Sequence, residues 1–320
     1  MEPSAPRQQC ADAVLMVRPA AFGYNPDTAR TNTFQQAAKV RSADPAGDVA
    51  RAAAAEFERL AQALVSEGVS VAVVDDTPEP RKPDAVFPNN WVSFHEDGTV
   101  VLYPMESASR RPERRQEVIE QVTGQLGFKV SRLLDLTRFE RKGMFLEGTG
   151  SLVLDHLQRV AYACASPRTH PQLVAEWAGE MRYEPLVFCA TNPAGVPLYH
   201  TNVLLFIGGR SAVVGSGAIA AADRDRVLER LRGAGRDVIE IGHEEIAQFA
   251  GNLLELGTWD EALGDSRVLV MSEAARRALG VEVFARLSGC TDAVLAVPVP
   301  TIERFGGGSV RCMLAEVFRA

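Results

Sequence analysis

The sequence predicts an α/β fold built from five similar units set around an axis, on three observations. Pairs of short apolar segments joined by turn residues recur along the chain, and stretches with a helical period separate them. Polar residues at the head of each pair recur roughly 50 to 60 residues apart, a spacing typical of arrays and propellers.

The helical period opens over 49–67, where Phe57, Leu60, Ala61 and Leu64 share one face. The first strand pair is "WVSFHEDGTVVLYPM", turned at Asp97-Gly98, and a helix over 110–126 follows. The second, "SLVLDHLQRVAYACA", precedes a helix over 168–182. The third, "NVLLFIGGRSAVVG", turns at Gly208-Gly209 and precedes helices over 220–232 and 243–250. "NLLELG" and "RVLVMSE" make the fourth, followed by a helix over 272–287, and "SVRCMLAEVF" opens the fifth. The polar heads are Asn90, Glu147, His200, Asn252 and Cys312, residues that would converge if the units surround an axis. No linker rich in Pro, Gly or Ser divides the chain, so residues 1–320 read as one domain.

With 320 residues, 46% hydrophobic and 23% charged, the chain can bury a large core. A formal charge of −7 argues against a nucleic-acid surface, which needs clustered Lys and Arg not offset by acids. No apolar run approaches the roughly 18 residues that span a bilayer, and no signal peptide is evident in "MEPSAPRQQCADA", so a cytoplasmic location without membrane partners is expected. The five cysteines, at 10, 164, 189, 290 and 312, form no C-x-x-C pair and read as reduced thiols. The five histidines are scattered without ligand spacing, so neither metal nor cofactor is expected.

"FGGGSVRCMLAEVF" puts Cys312 behind Gly306–Gly308 and two residues into an apolar strand. Cysteine attacks only as thiolate, which needs a base or cation nearby, and glycines before it let backbone approach a substrate. His200, in "LYHTNVLLF", is the best-placed base, and Glu147, in "FLEGTGSL", is a carboxylate among apolar residues that calls for a partner such as an imidazole. Singly, the histidine reads as a core residue and the acid as a solvated turn; together, at equivalent positions, they make nucleophile, base and orienting acid. Cys290, in "GCTD", is the one rival nucleophile.

These motifs, in this order from "MVRP" to Cys312, resemble the guanidino-modifying enzyme superfamily of arginine deiminases, dimethylarginine dimethylaminohydrolases and amidinotransferases. The resemblance implies a five-bladed, pseudosymmetric α/β propeller of the pentein type. "PDAVFPNN" looks like the substrate-binding Pro-Asp-x-x-Phe segment, "LEGTG" like the acid-Gly-Gly turn, "HTN" like the catalytic His and "GGGSVRCM" like the cysteine loop. It also implies that Arg110 in "SRRPE" and Arg168 in "SPRTH" bind the α-carboxylate of an amino-acid substrate, a task suited to a bidentate guanidinium. Asp84, Asn89, Asn90 and Asn202 complete the implied substrate site. The implied partner is a small-molecule amino acid, and a homo-oligomer is compatible with the chain.

Three carboxylates of the guanidinium-binding relatives are missing, at Asn90, Asn202 and Gly150. A guanidinium is a cationic donor, whereas a ureido group is neutral with a carbonyl acceptor, which asparagine amides can serve. The branch that hydrolyses citrulline to ornithine, carbon dioxide and ammonia is therefore the expected one, and "VRPAAFGYN" and "PNNW" look most like it. The succinylarginine-degrading branch also carries Asn in its substrate loop and accepts a guanidinium, so a deiminase or dimethylarginine-hydrolase activity is the alternative. Two other classes compete. Gly215-x-Gly217-x-x-Ala220, between a strand and a helix, has the form of a dinucleotide fingerprint. A ribosome-associated initiation factor uses the same propeller without chemistry, and such a binding protein needs no nucleophile, base and acid together.

Overall fold

Every strand pair expected from the sequence forms, and each gains a third strand that alternation does not reveal. The computed structural model describes residues 8–37, 44–260 and 264–319. Its strands are β1 (Ala13–Arg18), β2 (Ser70–Asp75), β3 (Val92–Phe94), β4 (Thr99–Leu102), β5 (Arg132–Asp135), β6 (Leu152–Asp155), β7 (Val160–Cys164) and β8 (Glu184–Phe188). They continue as β9 (Leu205–Ile207), β10 (Ser211–Val214), β11 (Asp237–Glu240), β12 (Leu254–Asp260), β13 (Gly264–Ser272), β14 (Ala293–Val297) and β15 (Ala315–Val317).

One pattern repeats. The middle strand pairs antiparallel with the first and parallel with the third in β3-β4-β5, β6-β7-β8, β9-β10-β11 and β12-β13-β14. A fifth set joins the two ends of the described chain, with β1 antiparallel to β15 and parallel to β2. A parallel contact between β15 and β3, Val317 beside Phe94, links two sets into a six-stranded sheet. Parallel neighbours need a crossover, and helices supply it: Pro45–Ser66, Gln116–Leu126, Pro171–Met181, Ala221–Gly233, and the pair Glu273–Ala278 and Gly280–Ser288. Phe57, Leu60 and Leu64 are fully buried in one core with Val14, Met16, Val268 and Val270, as the helical period required.

The structure corrects several expected boundaries. The helix expected over 110–126 starts only at Gln116, and Arg110 lies in a preceding 3₁₀ turn, Ala108–Glu113, that contains Pro112. Pro171 takes the first helical turn of 171–181, so Arg168 lies outside that helix. The helix expected over 272–287 breaks at Gly280, whose φ of +67° is left-handed. Cys312 is not in a strand: it sits in the 3₁₀ turn Val310–Met313, ahead of β15.

The five heads converge. Each lies in or beside a short turn ahead of a strand pair: Pro88–Asn90, Gly148–Ser151, Thr201–Val203, Gly251–Asn252 and Val310–Met313. Thr201 Oγ1 donates to the Ser151 carbonyl at 2.5 Å, Asn252 Nδ2 to the Asn202 carbonyl at 2.9 Å, and the Arg311 N–H to Asn252 Oδ1 at 3.1 Å. Gly148, at φ +47°, meets the Asn89 carbonyl so closely that a Cβ would lie 2.1 Å from its oxygen.

Away from this centre, Arg236 clamps the β6–β7 hairpin, with Nη1 2.5 Å and Nη2 2.9 Å from the two oxygens of the buried Asp155. Removing one partner of a buried ion pair leaves an uncompensated charge. Arg236→Met is therefore expected to lose about 3–5 kcal/mol in denaturant unfolding, and a loss below about 1 kcal/mol would mean that water reaches Asp155.

Candidate active site

Gly306–Gly308 end the helix Pro300–Gly306 and carry the chain against the Phe87 ring, to which a Cβ on Gly306 or Gly308 would come within 2.8 or 3.0 Å. The turn that follows places Cys312 at the centre, 3% exposed. Its Sγ lies between two amides, 3.4 Å from Asn252 Nδ2 and 3.6 Å from Asn202 Nδ2. Burial raises the thiol above its ordinary range, against the lowering effect of the Ser309 backbone, Asn252, Arg311 and Asn202.

His200 Nε2 lies 2.8 Å from Glu147 Oε2, and both residues are buried. Glu147 Oε1 accepts the Glu106 N–H at 3.0 Å, and Arg168 Nη1 approaches Oε2 at 3.4 Å. Burial alone would raise the Glu147 carboxyl, but Arg168, the His200 hydrogen bond and Arg110 hold it down at about 2. Burial pushes His200 down to about 4, against the pull of Glu147. A carboxylate only accepts hydrogen bonds, so Nε2 carries the proton of the neutral ring and Nδ1 keeps its lone pair. Nδ1 sits over Gly150, where a Cβ would lie 2.7 Å from it and 2.6 Å from Asn90 Nδ2.

Asp84 Oδ2 accepts from Asn25 Nδ2 at 2.6 Å and Thr28 Oγ1 at 3.2 Å, while its buried Oδ1 has no partner. Burial raises this carboxyl, and Arg110 and Asn25 oppose the rise. Arg110 is held by Glu113 through Nε at 2.9 Å and Nη2 at 2.7 Å, and Nη1 donates to Asn90 Oδ1 at 2.7 Å. Arg168 donates from Nε to Thr31 Oγ1 at 2.8 Å and from Nη2 to the Thr28 carbonyl at 2.7 Å.

A small cavity joins these groups. Six residues singled out from the sequence line it: Asp84, Asn90, Arg110, Arg168, His200 and Cys312. Three others stand one layer behind. Glu147 backs His200, Asn202 backs the sulfur, and Asn89 presents Oδ1 to Asn90 Nδ2 at 3.0 Å; Asn89 and Asn202, expected to touch substrate, are absent from the cavity wall. Sequence reasoning missed Thr28, Asn32, Gln35, Phe87 and Tyr199, which also line the cavity. Asn25-Pro26 could have signalled the first of these, because Asn25 caps the helical turn Pro26–Ala29 that carries Thr28. The Gly215 fingerprint serves the fold: its N–H donates to the Leu204 carbonyl at 2.8 Å, and a Cβ there would lie 2.4 Å from Ile246 Cδ1. Among the described residues no group of three His, Cys, Asp or Glu could hold a metal ion, and no helix is long and apolar enough to cross a membrane.

Residues 18–319 match the profile of the family described as N,N dimethylarginine dimethylhydrolase, eukaryotic. No curated protein matches the chain in sequence. Among solved structures, the arginine dihydrolase ArgZ from the ornithine-ammonia cycle in cyanobacteria is similar at a TM-score of 0.71 and 18% identity, over 96% of this chain and 41% of ArgZ. The present chain thus spans less than half of that protein's length. The N-terminal domain of ArgZ bound to substrate matches at a TM-score of 0.70 and 17% identity, over 96% of this chain and 98% of the domain. A dimethylarginine dimethylaminohydrolase variant carrying an adduct with S-methyl-L-thiocitrulline matches at a TM-score of 0.60 and 18% identity, over 95% and 99% of the two chains.

Neutral imidazoles, those of His200 and His95 buried and that of His156 half-buried, fix the acid behaviour. His200 at about 4, His95 at about 4 and His156 at about 3 all lie below the ordinary 6.5, so the unfolded chain takes up protons first. Their contribution to stability is complete above pH 6.5 and declines as pH falls toward 4; that of Glu147 is complete above 4.5 and declines toward 2. The thermal midpoint is expected to drop steadily from pH 6.5 to 4, and a midpoint unchanged across that window would mean that these rings are charged in the folded state.

Proposed function

The chain belongs to the N,N dimethylarginine dimethylhydrolase family, and from that premise we propose that it is a cysteine-dependent hydrolase of the ureido or guanidino head of an amino acid, with citrulline the best-fitting substrate. The observation that carries the reading is a thiol seated against two amide donors and, on the same cavity, an imidazole held by a buried carboxylate. The five repeated strand sets are read as blades of one five-bladed propeller domain over 1–320, an enzyme of the cytoplasm with reduced thiols.

The cysteine thiol gives its proton to His200 Nδ1, and Sγ bonds to the ureido carbon. The imidazolium, stabilised by Glu147, passes that proton to the departing nitrogen, which leaves as ammonia. Water then gives a proton to Nδ1 and attacks the thiocarbamoyl carbon; Sγ departs and recovers a proton. The ornithine carbamate loses carbon dioxide. Summed, citrulline and one water yield ornithine, carbon dioxide and ammonia. Asp84, with its free Oδ1, accepts a substrate N–H, and Arg110 and Arg168 hold the α-carboxylate.

Two arginines against one acid on the cavity wall, and Asn90 and Gly150 where a cation would want carboxylates, favour a neutral head group. One observation favours a guanidino substrate instead: no hydrogen bond joins Sγ to His200, and a cationic head group would itself draw the thiol into its charged form.

Purified protein given citrulline, arginine or dimethylarginine in parallel separates the readings. Ornithine and ammonia are expected from citrulline, and Cys312→Ser should abolish their release. Citrulline formed from arginine or dimethylarginine would establish the guanidino reading, and a folded protein inert toward all three would move the reading to a modified substrate or to a binding protein. Gly150→Ala, which pushes on Nδ1, is expected to lower kcat on the order of 100-fold with the fold retained; unchanged kcat would place the acting nitrogen elsewhere.

A further inference from the structure

Asn252, buried and without contact to the cavity, is the remaining head residue, and the reaction as written gives it no role. Its side chain has partners in two other units. Oδ1 accepts the Arg311 N–H at 3.1 Å, which settles which end of the amide is oxygen. Nδ2 donates to the Asn202 carbonyl at 2.9 Å and lies 3.4 Å from Cys312 Sγ. An NH₂ group has two hydrogens, so one serves the carbonyl and the other is left for the sulfur. The amide of Asn202, 3.6 Å away on Nδ2, has no comparable main-chain acceptor contact fixing its orientation.

We propose that Asn252 is the donor that keeps Cys312 reactive, directing one side-chain N–H at Sγ from a position fixed by the main chains of the neighbouring turns. This rests on the reading of Cys312 as nucleophile. A thiol is a weak acceptor and a thiolate a strong one, so the bond strengthens as the sulfur ionises and favours the attacking form. The other groups facing the sulfur are Arg311 beside it in the chain and Asp84, Arg110, Arg168, Tyr199 and His200 around the cavity. The guanidinium of Arg311 is directed to the Leu314 carbonyl and Glu316, leaving the uncharged amide as the fixed donor at Sγ.

The test is a pH titration of ultraviolet thiolate absorbance, read as the difference between each protein and its Cys312→Ser counterpart, so that the other cysteines cancel. In Asn252→Ser, whose hydroxyl is too short to span the gap, the midpoint is expected to move up until the thiolate fraction at a fixed lower pH falls about tenfold or more. In Asn252→Asp, which keeps an acceptor for Arg311 but faces Sγ with a carboxylate, it should move further. If the aspartate variant does not fold, the serine variant decides alone. kcat on the turned-over substrate should fall with the thiolate fraction while KM holds, a split that loss of packing would not produce. A folded Asn252→Ser with an unmoved midpoint would overturn the proposal. The two readings fail separately: a wild type inert on every substrate whose midpoint still depends on Asn252 would defeat the hydrolase reading alone, and full turnover with an unmoved midpoint would defeat this one alone.

Discussion

Main chain pressed against main chain at the centre is the constraint on which the rest depends. Gly148 faces the Asn89 carbonyl, and Gly251 lies against Val203, where a Cβ would come within 2.7 Å of the carbonyl oxygen. Contacts this short admit no side chain, so each unit can send only a tight turn to the middle. The head side chains sit on those turns or one residue away, and hydrogen bonds between the Thr201 and Asn252 side chains and the main chains of neighbouring units fix their positions. Contacts of this kind hold a thiol, an imidazole and two amides in register.

Burial then sets the charge states. Glu147, Asp84, Glu113, Arg110 and Arg168 are all nearly inaccessible, and such charges persist only when paired and hydrogen-bonded. Burial lifts Glu113 to about 7 while Arg110 resists, so their bidentate contact works against the cost of hiding both. Arg110 in turn orients Asn90, and Arg168 helps keep Glu147 ionised beside a neutral His200. The exception is Asp84, whose unpartnered Oδ1 is the cavity's open acceptor.

Much of this was legible in the sequence because strands buried on the core side alternate and heads recur at a fixed interval. Two of the third strands gave little signal, since β5 exposes three of its four residues and β11 buries one of four, while β2 and β14 are apolar runs that lie a helix away from the pairs they join. Adjacent residues in a 3₁₀ turn point about 120° apart, and this is why Asn90 reaches the cavity while its neighbour Asn89 does not. Asn252 was visible as a head but not as a partner of sulfur, because that contact depends on an amide orientation set by Arg311 in another unit. The covering residues Thr28, Asn32 and Gln35 carry no periodic signal, lying in a short helical turn and the irregular chain after it.

The pairing of β15 with β1 has a bearing on how the protein comes into being. Val317 lies opposite Ala13, so the sheet beside the nucleophile is made from segments about three hundred residues apart. Such long-range closure is slow and comes late, after local hairpins and crossovers have formed. A half-folded chain therefore lacks the two amide contacts at Sγ, which require the turns of three units to have come together.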